Sequence, residues 1–297
     1  MHSHIATDRA ANLRGSAWMI ASMAAFAVED ALLKGAAQSL PISEVLILFG
    51  CGGALVFAGA AALGGTPLLS AAALSRPMRL RAVFEVVGRL FYMIAIALLP
   101  LSTATVILQA TPLVVVAGAA LLFRETVGWR RWLAIAAGLA GVVVILQPGA
   151  ESFSPLSLVA VVGMLGFAGR DLASRAAPAG LSTAALGFYG LLALIVAGGG
   201  YAVWEGAAFA LPGARATLFL LAAILCGTAA YASLMKAMRT GEVSAVTPFR
   251  YSRLIFGVAL GIVVFGERLT PQMLLGSALI VASGLFILWR GRAASAG

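Results

Sequence analysis

From Leu99 to Pro148 the chain reads LPLSTATVILQATPLVVVAGAALLFRETVGWRRWLAIAAGLAGVVVILQP. This is two apolar runs of about twenty residues joined by one charged turn, and each run is long enough for a helix to cross about 30 Å of hydrocarbon. The pattern returns at Glu242–Arg290, where the turn is GERLTP. Phe-Arg-Glu at 123–125 answers Phe-Gly-Glu at 265–267, an offset close to half the chain. These two stretches imply a membrane protein built from two related halves.

Composition agrees. The 297 residues are 62% hydrophobic and 10% charged, with a mean hydropathy of +1.02. That much apolar surface cannot be hidden from water, so lipid is the main solvent. In lipid every backbone group must be satisfied internally, which leaves helices or a closed barrel. Unbroken apolar runs without two-residue alternation select helices.

The expected spans are 15–36, 43–64, 80–99, 102–123, 128–146, 155–173, 182–203, 214–238, 243–264 and 271–290. The fold class is therefore an all-α polytopic membrane protein of ten helices, in two five-helix repeats, 1–148 and 149–297. Pro41, Pro67, Pro77, Pro148, Pro155, Pro178, Pro212 and Pro271 fall in or beside the gaps, while Pro112 and Pro248 lie inside spans. The first fourteen residues are polar and lead into a run too long for a signal-peptide core, so a retained first helix is expected. Cys51 and Cys226 each sit within a span and read as small apolar residues.

The repeat is visible elsewhere. Phe26, Asp30 and Lys34 in span one match Phe167, Asp171 and Arg175 in span six at one constant offset. Gly88 and Tyr92 in span three match Gly227 and Tyr231 in span eight at nearly the same offset. Five spans per half is odd, so the second half must enter the membrane from the opposite side as an inverted repeat. The basic residues support ten spans. Arg9, Arg14, Arg76, Arg79, Arg81, Arg124, Arg130, Arg131, Arg175, Lys236, Arg239, Arg290 and Arg292 fall on the N-terminal side. Only Lys34, Arg215 and Arg268 fall on the other, which puts both termini in the cytoplasm.

This pattern resembles the drug/metabolite transporter superfamily, in its ten-span form with two EamA domains. The resemblance rests on the paired turns Phe123-Arg-Glu-Thr and Phe265-Gly-Glu-Arg-Leu-Thr, on the first-span pattern ending in Lys34, and on Ala97-Leu-Leu-Pro-Leu-Ser-Thr-Ala leading into span four. It covers almost the whole chain, and its short motifs specify fold better than substrate. It implies a secondary transporter of a bacterial inner membrane, most similar to exporters of aromatic and other neutral amino acids. The alternative it leaves open is a carrier of anionic metabolites such as phosphorylated sugars or nucleotides. The sequence departs from the family pattern in one place. Pro112 stands thirteen residues before Glu125, whereas the matching place before Glu267 holds Arg253 and Leu254, so the halves are expected to bend differently.

Other classes fare poorly. The net charge of +9 lies in short loops between spans and sets orientation, so no nucleic-acid partner is implied. His2 and His4, both in the N-terminal tail, are the only histidines, and no P-loop is present. An enzyme, nucleotide hydrolysis, a metal site and a cofactor are therefore not expected. A channel would show a polar stripe through several spans, whereas the polar residues here cluster near mid-depth. The expected partners are the bilayer and a small-molecule substrate, with the chain acting as a monomer or weak homodimer.

An ionisable residue in the bilayer core is a functional candidate. Arg89 and Arg253 fall near mid-span, Arg250 a turn from Arg253, and Glu85 four residues before Arg89 on the same face. Arg253 with Arg89 or Arg250 could hold a substrate carboxylate, since a guanidinium fork suits that planar group. Glu29, Asp30 or Glu85 could meet a substrate ammonium or pass a proton. Glu85 and Arg89 could instead form an internal ion pair. Tyr92 and Tyr231, matched in the repeat, could wall the cavity, and Gln109 beside Pro112 could donate a hydrogen bond. The cavity is expected between spans one, three, four, six, eight and nine, with spans five and ten peripheral. Glu125 and Glu267 read as structural, each capping the helix that follows it.

Overall fold

The computed structural model describes residues 9–65, 67–68, 71–125, 127–148, 154–176, 182–240 and 242–295. His2, His4, Thr126 and Pro178 lie outside the described residues, as do the side chains of Arg9, Arg175 and Arg292. The helices are α1 (Arg9–Ala36), α2 (Ile42–Leu63), α3 (Arg76–Leu98), α4 (Leu101–Leu108), α5 (Thr111–Leu122), α6 (Trp129–Leu146) and α7 (Leu156–Arg175). They continue with α8 (Thr183–Glu205), α9 (Ala214–Thr240), the short α10 (Val243–Val246), α11 (Ser252–Phe265) and α12 (Pro271–Ser295), and 3-10 turns cover Ala71–Leu74 and Thr247–Tyr251. Taking α4 with α5 and α10 with α11 as broken spans, all ten expected spans are present. Among the described residues nine stretches are long and apolar enough to cross a membrane. The tenth span is α3, 23 residues long and carrying Arg76, Arg79, Arg81, Glu85 and Arg89.

Prolines and glycines punctuate these helices as their backbone chemistry requires. Pro41, Pro100 and Pro155 immediately precede α2, α4 and α7, where a missing N–H is harmless. Gly206 and Gly266 end α8 and α11 at φ of 62° and 66°, a conformation that favours glycine. Pro112 and Pro248 each sit in the first turn of a new helical segment, so each interrupts its span. Thr111 Oγ1 donates to the Leu108 carbonyl at 2.6 Å and takes up one freed acceptor. The halves bend by different means, a two-residue break at Gln109–Ala110 against a five-residue 3-10 turn, but at matching places. Gln109 Nε2 donates across the bundle to the Arg250 carbonyl at 3.2 Å, 141 residues away.

Each helix takes its main partner from the other half: α1 packs on α9, α3 on α7, α2 on α8 and α6 on α12. Exchanging the halves returns the same set of pairs. Helices α2 and α8 hold equivalent places and run antiparallel, with Gly53 against Leu191, Gly50 against Ile195 and Gly198 against Ile47. Helices α6 and α12 are antiparallel too, with Gly138 against Ser283 and Gly141 against Leu279. The second half is thus an inverted copy of the first. Spans five and ten, α6 and α12, pack chiefly on each other. Large apolar side chains such as Leu63, Val203 and Val263 are exposed on the outside, where lipid would cover them.

Helices α3 and α7 meet backbone to backbone. A Cβ added to Gly166 would run into the backbone of Gly88, and one added to Gly163 would lie 2.8 Å from the Tyr92 nitrogen. Gly166→Ala is therefore expected to lower stability by about 1–3 kcal/mol, because backbone cannot yield as a side chain can. Thermal unfolding in detergent reads this, with Gly199→Ala, which has open space, as the neutral control.

On the side opposite the N-terminus, helix ends are tied across the halves. Glu205 accepts from the Ile42 and Ser43 amides, both at 3.1 Å, and so caps α2. Glu267 accepts from the Leu101 and Ser102 amides at 2.5 and 3.0 Å. The capping expected of Glu267 is therefore real but directed elsewhere. It serves α4 in the opposite half, because inversion brings that helix start beside the turn. Within the first half, Lys34 Nζ closes the end of α3, donating to the carbonyls of Ile96 at 2.8 Å and of the capping residue Leu99 at 2.6 Å. Glu267→Ala should cost about 0.5–2 kcal/mol, the range for a lost cap. A thermal midpoint no lower than wild type would show that solvent replaces it.

Candidate functional site

A chamber opens where α1, α2 and α3 face α7, α8 and α9. Its wall comprises Phe26 and Glu29 from α1, Phe49, Gly53 and Phe57 from α2, and Arg81, Glu85 and Arg89 from α3. The other half supplies Arg170, then Leu186, Gly187, Gly190 and Leu191 from α8, and Gly227, Thr228 and Tyr231 from α9. Its empty volume, open mouth included, is about 500 Å³.

Spans two and seven line this chamber, and spans four and nine do not, contrary to the sequence expectation. The reason is local. Gly53, packed on Leu191, and Gly187, packed on Phe57, bring α2 and α8 close at the chamber wall, and Gly190 leaves room beside Glu85, where an added Cβ would meet nothing nearer than 3.8 Å. By contrast α4 and α11 close on each other, with Gly257 against Thr105 and Gly261 against Ser102.

The chamber's charges centre on Glu85, which is 1% exposed. Three guanidinium groups converge on it: Arg89 Nε at 3.1 Å, Arg81 Nη2 at 3.3 Å and Arg170 Nη1 at 3.4 Å. The Arg89 pair is the one that helical spacing predicts. Arg170 also donates twice to Asp171 Oδ1, at 2.9 and 2.8 Å, and Arg81 Nε reaches Ser174 Oγ at 3.0 Å.

Arg81 and Arg170 are not among the candidates that sequence reading assigns to the site. Arg81 was grouped with the basic residues of the N-terminal side, yet it lies inside α3 and is only 9% exposed. Its position four residues before Glu85 could have signalled the pair. Arg170 falls near the end of the expected span 155–173, and the signal for it is that it occupies the repeat position of Glu29.

A second cluster lies further from the N-terminal side. Arg253 Nη2 meets Asp30 Oδ2 at 2.6 Å, and the Tyr92 hydroxyl donates to the same oxygen at 3.0 Å. The Arg253 guanidinium also faces the Phe26 ring, 5.1 Å from its centroid. Glu29 lies between the clusters, its Oε1 4.0 Å from Arg89 Nη1. Of the sequence candidates, then, Glu29, Glu85, Arg89 and Tyr231 line the chamber. Asp30, Tyr92 and Arg253 form the cluster beside it, and Gln109 meets the backbone of Arg250 in the central 3-10 turn. The matched tyrosines part company: Tyr231 stands edge-on to Phe57 at 5.3 Å, while Tyr92 packs on Phe167 at 5.8 Å. Among the described residues no group of His, Cys, Asp and Glu converges to hold a metal ion.

The model of the EamA-like transporter family matches this sequence twice, over residues 13–147 and 155–289. The chain belongs to the EamA-like transporter family. This EamA-like transporter is 31% identical to a riboflavin transporter of Rhizobium johnstonii over 209 residues, 70% of this chain and 68% of the relative. It is 26% identical to an S-adenosylmethionine uptake transporter of Rickettsia conorii, with 93% of each chain covered. It is 28% identical to a pseudopaline exporter of Pseudomonas aeruginosa, over 87% of this chain and 90% of the relative. A solved protein crystal structure superposes with a TM-score of 0.63 at 20% identity, covering 94% of this chain and 98% of the other, which is a likeness of fold. As a multi-pass membrane protein of this family, the chain is a transporter.

Proposed function

We propose that this transporter carries small amphipathic metabolites, neutral and aromatic amino acids first among them, out of the cell across a bacterial inner membrane. It does so by alternating access, residues 1–148 rocking against the inverted repeat 149–297, with both termini in the cytoplasm. The observation that carries this reading is the chamber wall. Phe26, Phe49, Phe57 and Tyr231 offer aromatic faces, and beside them stand guanidinium groups and a carboxyl group. An apolar body with a zwitterionic head needs that combination. Arg89 and Arg81 would take the carboxylate, with Arg253 and Arg250 holding the neighbouring shell and Glu29 or Asp30 on the ammonium side. The relative named for S-adenosylmethionine fits, since that molecule ends in an α-amino acid.

The chamber reaches toward the N-terminal side through Arg81, Phe57 and Leu186. With cytoplasmic termini this is an inward-facing arrangement. A second reading, a carrier of anionic metabolites, is favoured by the three guanidinium groups on Glu85. Proteoliposome counterflow with radiolabelled tyrosine, leucine and a sugar phosphate separates the two. Saturable exchange of the amino acids is expected, exchange of the sugar phosphate alone would favour the second reading, and large ohmic currents would replace both with a channel. Among the relatives the pseudopaline exporter is named for outward movement, the direction proposed here, and the S-adenosylmethionine transporter for uptake. Inside-out vesicles should therefore accumulate the solute, and accumulation only by right-side-out vesicles would reverse the proposed direction.

A further inference from the structure

Among the described residues three acids are buried at the centre, and two are held by close ion pairs. Glu85 holds three guanidinium groups, although its Oε2, 3.3 Å from Arg81, also receives no aligned hydrogen bond, and Asp30 holds Arg253 and the Tyr92 hydroxyl. Glu29 has neither arrangement, although it is only 3% exposed. Its one ion-pair neighbour, Arg89, stands at 4.0 Å and is committed to Glu85 at 3.1 Å. Its Oε2 is shut off from solvent and, among the described residues, receives no hydrogen bond. That oxygen lies against Gly227 of α9, where an added Cβ would sit 3.1 Å from it and 3.0 Å from the carboxyl carbon. The carboxyl group therefore fills the room a glycine leaves, on the chamber wall. The charged and titratable groups facing it are Arg89 from α3, Arg253 from α11, Cys226 from α9 and its neighbour Asp30.

A carboxyl group this enclosed and short of donors is completed by a positive charge or proton from outside the protein. We propose that Glu29, given its place by Gly227, is the chamber's receptor for an exchangeable positive charge, supplied either by a proton or by the solute's ammonium group. Its use in transport rests on the carrier reading; the site itself does not.

The test is residue-resolved labelling of the protein in proteoliposomes with dicyclohexylcarbodiimide, which attacks protonated carboxyl groups in apolar surroundings. Mass spectrometry should find Glu29 modified about tenfold more than Asp30 or Glu85, the equivalent of one unmade hydrogen bond. Gly227→Ala should cut the Glu29 signal severalfold and leave the other two acids unchanged. If the charge is an ammonium, tyramine protects Glu29 and 4-hydroxyphenylpropionate, which lacks the amine, does not. If it is a proton, tyramine gives no protection. Solute addition then dissipates an imposed pH gradient in wild type and not in Glu29→Gln. Labelling of Glu29 no stronger than that of Asp30 and Glu85 overturns the proposal. So does selective labelling with neither protection nor solute-linked proton movement. Absence of counterflow by wild type would sink the carrier reading alone, since labelling and tyramine protection still decide the site.

Discussion

Glu85→Ala is expected to be the most damaging single substitution in the bundle. It removes the one carboxylate on which Arg81, Arg89 and Arg170 converge at 3.1 to 3.4 Å. Arg170 keeps Asp171, but among the described residues Arg81 is left with no carboxylate within ion-pair distance and Arg89 with Glu29 at 4.0 Å. Breaking a buried pair by deleting one partner costs about 3–5 kcal/mol, because a charge is left in a poor solvent. The measurement is the thermal midpoint of the purified protein in detergent, with Leu55→Ala, on an exposed apolar position, as a reference. Glu85→Ala combined with Arg89→Ala should lose less than the two single effects summed, since the pair is coupled. Additive losses, or a midpoint equal to wild type, would mean that water already neutralises these arginines.

Arg253→Ala should abolish transport while leaving a protein that inserts and purifies. Among the described residues Arg253 is the only guanidinium on Asp30, at 2.6 Å, and with it α11 is fastened to α1 next to Glu29. Without it Asp30 keeps the Tyr92 hydroxyl alone, a deficit again of about 3–5 kcal/mol if the carboxylate stays charged. Removing both charges tests the cause. Asp30→Asn with Arg253→Gln should recover the thermal midpoint, since two neutral partners of similar shape leave no stranded ion. Counterflow then tells stability from function. Activity restored along with the midpoint would make the pair a fastening, and activity still absent would place Arg253 in solute handling. Normal counterflow by Arg253→Ala would remove it from the mechanism.

Much of the architecture was legible in the chain. Apolar run length gave ten spans, because a lipid-spanning helix has few alternatives. The offset between Asp30 and Asp171, and between Glu125 and Glu267, gave two copies, and odd parity gave their inversion. Helical spacing gave the Glu85–Arg89 pair. Contacts between spans were less accessible. Glu267 looks like a cap for the next helix, and only the inverted packing shows that it caps α4. Arg81 stands at the very edge of the expected span 80–99, and only the start of α3 at Arg76 sets it more than a turn inside the helix.

Local sequence thus decided the helices, their breaks at Pro112 and Pro248, and the presence of two matched halves, since all of these follow from short-range backbone chemistry and the solvent the side chains demand. Tertiary structure decided which faces meet. It made α2 and α8 walls of the chamber, closed α4 on α11, gathered three arginines around Glu85 and left Glu29 facing Gly227. Those outcomes depend on how closely glycines let backbones approach across the interface between halves, and a spacing within one span carries no record of that.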